Sequence, residues 1–556
     1  MPCRHFQGII ASYSVHIFRE YRAADIIEDL IGLRPEVVLD PALLLSPTDW
    51  RDIEVKDEFA IPYVLTYFLG GNPLKEKSLK KNFVMNMILT GSQYIFPLIT
   101  FPYVSRVLLA EGNGEINFAL SVVNYFVLLA SLGIPTYGVR ACAVVREDKS
   151  ELSRTVQELF LLNFITTLIS FAALLASIIL IPTFSRYAEL IIIQSATLWL
   201  NLLGVDYMYQ ALEEYSYITR RSIGFKAIGV LLMFLFVHER NDVAIYAAVG
   251  VIGSSGSLLL NFFKARNYIS FKPNRPWKFG QHLRPILDFF LLSASWTLFI
   301  NFGSVVLGFM SNTTEVGYYA AAMKVKALLA NSVSALGTVL LPRLSSYYHA
   351  NKMDEFYRLL VKDSSFICVF GLYVVAFGII DADQIILLLS GESYVAAVPA
   401  MRAIMLSVMC VGFSTLLGSN VLIPQGQERV TTGATFIGFA LLAPLTCFLA
   451  PALGATGAAI ATTAGELLIV MVEVHALRGD LKKLFNTETI SKSIMSCLFA
   501  LVVLVVFKLT VSASVPGSFF KLVLDAICFA GAYALFLFIT REPFVLSLLR
   551  RGRLAS

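Results

Sequence analysis

Five stretches of this chain run for twenty residues or more without a single charged side chain: Asn82 to Ser105, Ile116 to Val139, Leu159 to Ile181, Val243 to Phe263 and Ala403 to Gln427. A helix needs about 20 apolar residues to cross the hydrocarbon of a bilayer, so each run is long enough to span it. Between Val430 and Gly465 no charge occurs either, but Pro451, Gly454 and Gly457 punctuate the run and predict two spans joined by a tight turn. With 57% hydrophobic and only 15% charged residues over 556 positions, the chain has too little polar surface for a water-soluble globule.

Spans are expected to begin near residues 83, 116, 156, 188, 222, 243, 286, 316, 363, 400, 430, 455, 491 and 519. The fold class that follows is an all-α polytopic membrane protein of about fourteen transmembrane helices, each of roughly 20 residues. Lys508 and Asp525 interrupt the last two spans, which rest on their length and on the basic tail beyond them.

Lys and Arg are retained on the cytoplasmic side of a membrane, so their distribution among alternate connections sets orientation. One set of connections holds Lys75 to Lys81, Arg140 to Arg154, Arg220, Arg221 and Lys226, Lys264 to Arg284, Arg343 to Lys362, Arg429, Arg478 to Lys492, and the tail from Arg541 to Arg553. The opposite set holds only Arg106, Arg186, Arg240, Lys508 and Lys521. A bias of roughly six to one puts both termini in the cytoplasm, requires an even number of crossings, and points to the inner membrane. It also accounts for the net charge of +5, so no nucleic-acid partner is called for. The first 75 residues hold no apolar core beside a small-residue cleavage site, and insertion is expected to be driven by the helices themselves.

Cys3, Cys142, Cys368, Cys410, Cys447, Cys497 and Cys528 are scattered, mostly in or beside apolar runs, and read as packing residues. No zinc-type spacing, glycine-rich phosphate loop or Ser/His/Asp arrangement stands out, so neither a cofactor nor an enzymatic activity is expected.

The second span opens with Glu115-Ile116-Asn117-Phe118-Ala119 and the eighth with Glu315-Val316-Gly317-Tyr318-Tyr319-Ala320. Gln210-Ala211-Leu212-Glu213 after the fourth span is echoed by Gln425-Gly426-Gln427-Glu428 after the tenth. Both offsets correspond to six helices, which predicts two parallel six-helix repeats around a central cavity. The expected organisation is a fragment over 1–75, a first bundle over 78–266, a cytoplasmic linker over 267–284, a second bundle over 285–480, two further helices over 490–540 and a basic tail over 541–556.

A charge at the bilayer centre costs about 2.5–3.5 kcal/mol on insertion scales, so it is retained against a cavity or a partner. The exceptions here are Asp206, Lys324, Lys326, Arg402, Glu466 and Glu473. Lys324 and Lys326 are two residues apart and cannot share one helical face; Lys324 is the choice for a ligand. Asp206, Glu466 and Glu473 are candidates for ion coupling or internal pairing, for example Lys324 with Asp206 or Arg402 with Glu466. Basic residues in a cavity suit an anionic ligand. Asn124, Asn163, Asn201, Asn301 and Asn331 add polar surface that can bind sugar hydroxyls or join helices.

From about residue 78 to 485 the chain resembles the Wzx-type oligosaccharide repeat-unit flippases, polysaccharide biosynthesis proteins of the multidrug/oligosaccharidyl-lipid/polysaccharide exporter superfamily. The carriers are Phe101-Pro102-Tyr103-Val104-Ser105-Arg106, Leu132-Gly133-Ile134-Pro135 through Arg140, Tyr209-Gln210-Ala211-Leu212-Glu213, Gly317-Tyr318-Tyr319-Ala320 through Lys324, Leu341-Pro342-Arg343, and Ile423-Pro424-Gln425-Gly426. The resemblance implies a carrier of undecaprenyl-diphosphate-linked oligosaccharide, working in membrane lipid beside the glycosyltransferases and polymerase of its pathway. Arg106, Arg140, Lys324 and Arg343 are the motif positions it marks for substrate binding, to which the intramembrane Arg402 is added. Residues 19–25, 36–45 and 62–70 look like part of a polysaccharide pyruvyl transferase, a small α/β piece too short to bury a core or to transfer pyruvate. The competing readings are a drug or cation antiporter of the same superfamily, which would be expected to show acidic rather than basic lumen groups, and a non-transporting assembly partner of glycosyltransferases.

Overall fold

The computed structural model describes residues 79–272, 276–510 and 517–546, and the expected α/β fragment lies outside them. Among the described residues every regular element is helical. Hydrocarbon offers backbone N–H and C=O groups no partner, so a spanning segment must satisfy them within itself.

The helices are α1 (Leu79–Val107), α2 (Leu109–Ser131), α3 (Ile134–Val144), α4 (Lys149–Leu180), α5 (Ala188–Gly204), α6 (Asp206–Ala211), α7 (Tyr215–Phe236) and α8 (Val243–Ala265). There follow α9 (Gly280–Met310), α10 (Thr313–His349), α11 (Met353–Ile380), α12 (Ala382–Ser390), α13 (Val398–Ser414), α14 (Glu428–Ala476), α15 (Thr487–Thr510) and α16 (Ser518–Ile539). Two starts are fixed by capping: the Asp148 carboxylate accepts from the amides of Ser150 and Glu151 ahead of α4, and the Asn312 side chain accepts from Glu315 N ahead of α10. Eleven helices among the described residues are long and apolar enough to cross a membrane. Their outer faces carry large apolar side chains such as Ile179, 80% exposed, and Phe448, 78% exposed, a surface suited to lipid. The chain is a helical, multi-pass membrane protein.

Three features differ from or refine the sequence reading. The span expected from Ile116 to Val139 breaks at Leu132, whose φ of 45° ends α2 before α3 restarts. Gly133, the N-cap of α3, sits so close to α9 that a Cβ there would lie 2.2 Å from the Ile286 carbonyl oxygen, and Pro135 opens the first turn of α3. In α14 the expected turn is a single residue, Gly454 (φ 54°, ψ −135°), and the Glu315 carboxylate accepts from the next amide, Ala455 N, at 2.7 Å. The charges that interrupt the last two spans meet: Lys508 of α15 pairs with Asp381 at 2.6 Å and lies 3.7 Å from Asp525 of α16. Stacked rings of Tyr373, Phe377 and Phe529 continue this joint between α11 and α16.

One apolar core runs from α2 through α10 to α13, with Phe118, Val122, Val316, Val325 and Met405 buried in it. At its centre α2 and α10 cross in near backbone contact. A Cβ on Gly114 would stand 1.6 Å from the Thr313 carbonyl oxygen, and one on Gly317 would stand 2.0 Å from that of Ala110. Each helix thus offers a carbonyl and, four residues on, a glycine to its partner, the close approach that small residues permit in membranes. The Asn113 amide donates to the buried Tyr394 hydroxyl at 2.9 Å beside this crossing.

Candidate functional site

The charges inside the helices divide into those that are neutralised locally and those that are not. Lys326 of α10 donates to Glu466 of α14 at 2.7 Å, and the two residues are only 7% and 4% exposed. Lys324, two residues earlier, emerges on another face of α10. Its Nζ stands 4.1 Å from the ring centroid of Phe101 on α1, and it pairs with no carboxylate among the described residues. Phe101 in turn meets the buried Tyr394 edge to face. A cation–π contact holds an ammonium through the ring quadrupole and leaves its hydrogen-bond donors available for an incoming anion.

The pairings suggested from sequence are replaced. Lys326, not Arg402, neutralises Glu466. Arg402 is exposed and donates from Nε to the Ile379 carbonyl at 3.2 Å in the last turn of α11. Asp206 pairs with Arg221 rather than Lys324. Arg221 and Lys226, counted among the basic residues of a connection, lie instead within α7, which begins at Tyr215, earlier than expected. Glu473 is buried and accepts from the Ser414 hydroxyl at 3.1 Å, its second oxygen having no partner.

Arg106 closes a helix end: its guanidinium donates to the carbonyls of Leu387 and Leu388, at 3.2 and 2.6 Å, in the C-terminal turn of α12. Both carbonyls lie in the last turn, where that of Leu387 also accepts from Gly391 N at 3.0 Å, and carry the negative end of the helix dipole, which explains a cation there. Arg140 on α3 and Arg343 on α10 are exposed.

A second polar centre lies among α1 to α8. Val205, at φ 36°, is a left-handed break between α5 and α6 that turns Asp206 toward the interior. The Arg221 guanidinium reaches the Asp206 carboxylate from α7 and donates to Ser257 Oγ at 2.7 Å; Asn261 Nδ2 donates to Asp206 at 3.0 Å. Beside this network is a cavity of about 420 Å3, lined by Gln93, Asn163, Asn201, Asp206, Gln210 and Arg221 together with serines of α7 and α8 and leucines of α5. A neighbouring space of about 280 Å3 is bordered by Phe96, Thr100, Lys226 and Tyr246, with Lys226 donating to Ser92 Oγ at 2.9 Å. Of the residues singled out by sequence as charged site candidates, Asp206 alone lines the larger cavity.

A third cluster was not foreseen. Glu158 of α4, wholly buried, receives His282 Nε2 at 2.7 Å and the Lys278 amide at 2.6 Å, while Tyr137 of α3 meets His282 Nδ1 at 2.8 Å. It ties the N-terminus of α9 to the helices before it. The spacing of Glu158 and His282, 124 residues apart in the chain, carries no local signal.

Comparison with known proteins places this geometry. The family model described as "Polysaccharide biosynthesis protein" matches residues 79–348. A protein of Escherichia coli (strain K12) that bears the provisional name O-antigen transporter is 23% identical over 419 residues, covering 72% of this chain and 97% of that protein. The structure of the lipid II flippase MurJ in an inward closed conformation superposes with a TM-score of 0.64 at 15% identity, covering 83% of this chain and 99% of its own. An inward-facing MATE family multidrug resistance transporter of the MOP superfamily gives a TM-score of 0.56 at 15% identity, covering 70% of this chain and 95% of its own. What these likenesses share with the chain is the fold, that of a helical, multi-pass membrane protein. Within that class, the resemblance to the Wzx-type oligosaccharide repeat-unit flippases stands, carried by the polysaccharide biosynthesis match and the O-antigen transporter relative.

Proposed function

We propose that the chain moves undecaprenyl-diphosphate-linked oligosaccharide repeat units across the cytoplasmic membrane for surface polysaccharide synthesis. The observation that carries this reading is Lys324: a cation on α10 that faces Phe101 of α1 and meets no carboxylate, while the nearby acid Glu466 is consumed by Lys326. A diphosphate needs such an uncompensated cation. A cationic drug would need an accessible carboxylate instead: Asp206 and Glu466 are already paired, and Glu473, which meets no cation among the described residues, is fully buried against Ser414.

In this reading the eleven long apolar helices become fourteen crossings once α14 is divided at Gly454 and the shorter α5 and the Arg-bearing α7 are included. The termini are cytoplasmic, as the basic residues require. The N-terminal ends of α2 and α10 then face outward, and their glycine crossing closes the outer side between the two six-helix bundles. Rocking of the bundles about it exposes Lys324 alternately to each side while the lipid tail stays in the bilayer. Arg140 and Arg343, exposed, meet the diphosphate on its way; Arg106 and Arg402, engaged on helix carbonyls, act through their field alone.

The test is binding to purified protein in nanodiscs. Undecaprenyl diphosphate should bind and lose affinity at least tenfold in Lys324→Ala, the order expected for a lost charge-assisted contact of about 1.5–3 kcal/mol. Binding of a lipophilic cation instead, unaffected by Lys324→Ala, would replace the flippase with an antiporter.

A further inference from the structure

We infer that the cavity enclosed by α1 to α8 is a sugar-binding subsite, taking part of the neutral glycan while the diphosphate lies at Lys324. The inference rests on the flippase reading and adds to it a second recognition element.

Four carboxamides line this cavity, Gln93 on α1, Asn163 on α4, Asn201 on α5 and Gln210 on α6; Asn163 accepts from the Thr167 hydroxyl at 3.5 Å, and the side chains of the other three make no hydrogen bond with the protein among the described residues. Each offers two N–H donors and a carbonyl acceptor. Such groups in a membrane helix are costly unless they meet water or a polar ligand. Asn201 sits in α5 between apolar neighbours, Leu198 and Leu202, that are themselves buried, so its amide is the accessible group on that wall.

The charges exclude other occupants. Asp206 is held by Arg221 and Asn261, and Arg221 is further engaged on Ser257, so the cavity presents no uncompensated charge to a metal ion, a cationic drug or a phosphate. What it presents is amides and hydroxyls beside the apolar side chains of Val127, Leu198 and Leu258. A pyranose has the matching surface, with hydroxyls around its rim and C–H groups on its faces. The volume of about 420 Å3 lies in the lower part of the range of ligand pockets, about 300–1,000 Å3, and suits a sugar unit rather than a whole lipid-linked repeat.

The experiment measures the affinity of the full chain in nanodiscs for two probes. One is undecaprenyl diphosphate; the other is the undecaprenyl-diphosphate-linked glycan pool extracted from the cells that make the protein. In the wild type the glycan-bearing lipid should bind more tightly than the bare one. Asn201→Leu and Gln210→Leu should each weaken the glycan-bearing lipid about three- to tenfold, the loss of one neutral hydrogen bond, with the bare lipid unchanged. Asn201→Phe, which fills the cavity, should abolish the difference between the probes. The unchanged affinity for the bare lipid reports that each variant is folded. Equal affinities of both probes for every variant, with wild type binding both, would overturn the subsite and leave the flippase reading standing. Failure of the wild type to bind either lipid would overturn the flippase reading itself.

Discussion

Replacing Glu466 with Gln tests the structural difference between the two neighbouring lysines, Lys324 and Lys326. Lys326 and Glu466 are 2.7 Å apart and nearly without solvent, so loss of the carboxylate strands an ammonium among apolar helices. Their attraction at an effective dielectric of about 20 is roughly 6 kcal/mol, most of it offset by the desolvation of both groups. Removing one partner forfeits the attraction but keeps the desolvation of the other, at a cost of about 3–5 kcal/mol. At roughly 2–4 °C per kcal/mol, the melting temperature in detergent should fall by about 6–20 °C. The double variant Lys326→Met with Glu466→Leu removes both charges and should recover most of that fall. Lys324→Met supplies the contrast: it gives up one partly buried cation–π contact of about 1 kcal/mol and should shift melting by no more than about 4 °C. Glu466→Gln melting within about 1 °C of wild type, or a double variant as unstable as the single, would refute a buried pair held by mutual neutralisation.

Gly317→Ala should force α2 and α10 apart, because its Cβ meets the Ala110 carbonyl, a backbone atom that cannot rotate away. The expected cost is about 1–3 kcal/mol of overpacking, read as a lower melting temperature together with faster labelling of a cysteine placed at Thr313. Glu158→Ala should free the start of α9, since Glu158 holds both the Lys278 amide and His282. A charge-assisted bond of about 1.5–3 kcal/mol converts to roughly ten- to hundredfold faster proteolysis near residues 272–280, and an unchanged rate would refute the tie.

The helical, membrane-spanning fold was legible because length and charge-free runs are set by the bilayer, a constraint that acts locally along the chain. Gly454 announced its turn for the same reason. The polar interior was less legible because its partners are set by helix rotation and tertiary contact. Lys324 and Lys326 look alike in sequence, yet two residues on a helix turn them by about 200°, one toward Phe101 and the other toward Glu466. Arg221 reads as part of a basic connection beside Arg220, and only the left-handed break at Val205 brings Asp206 to it. Glu158 and His282 are joined solely by the packing of α4 against the start of α9. The break at Leu132 did carry a local signal, Gly133 at the N-cap of α3 and Pro135 in its first turn, which the length of the charge-free run outweighed.

The central claim is translocation, and it is tested most directly in proteoliposomes loaded with an undecaprenyl-diphosphate-linked oligosaccharide, with accessible glycan scored by an impermeant modifying reagent. Wild type should carry glycan from one leaflet to the other, and Lys324→Ala, folded and melting within about 4 °C of wild type, should lose that transfer. Transfer by Lys324→Ala at the wild-type rate, or none by well-folded wild type across several glycans, would contradict the account.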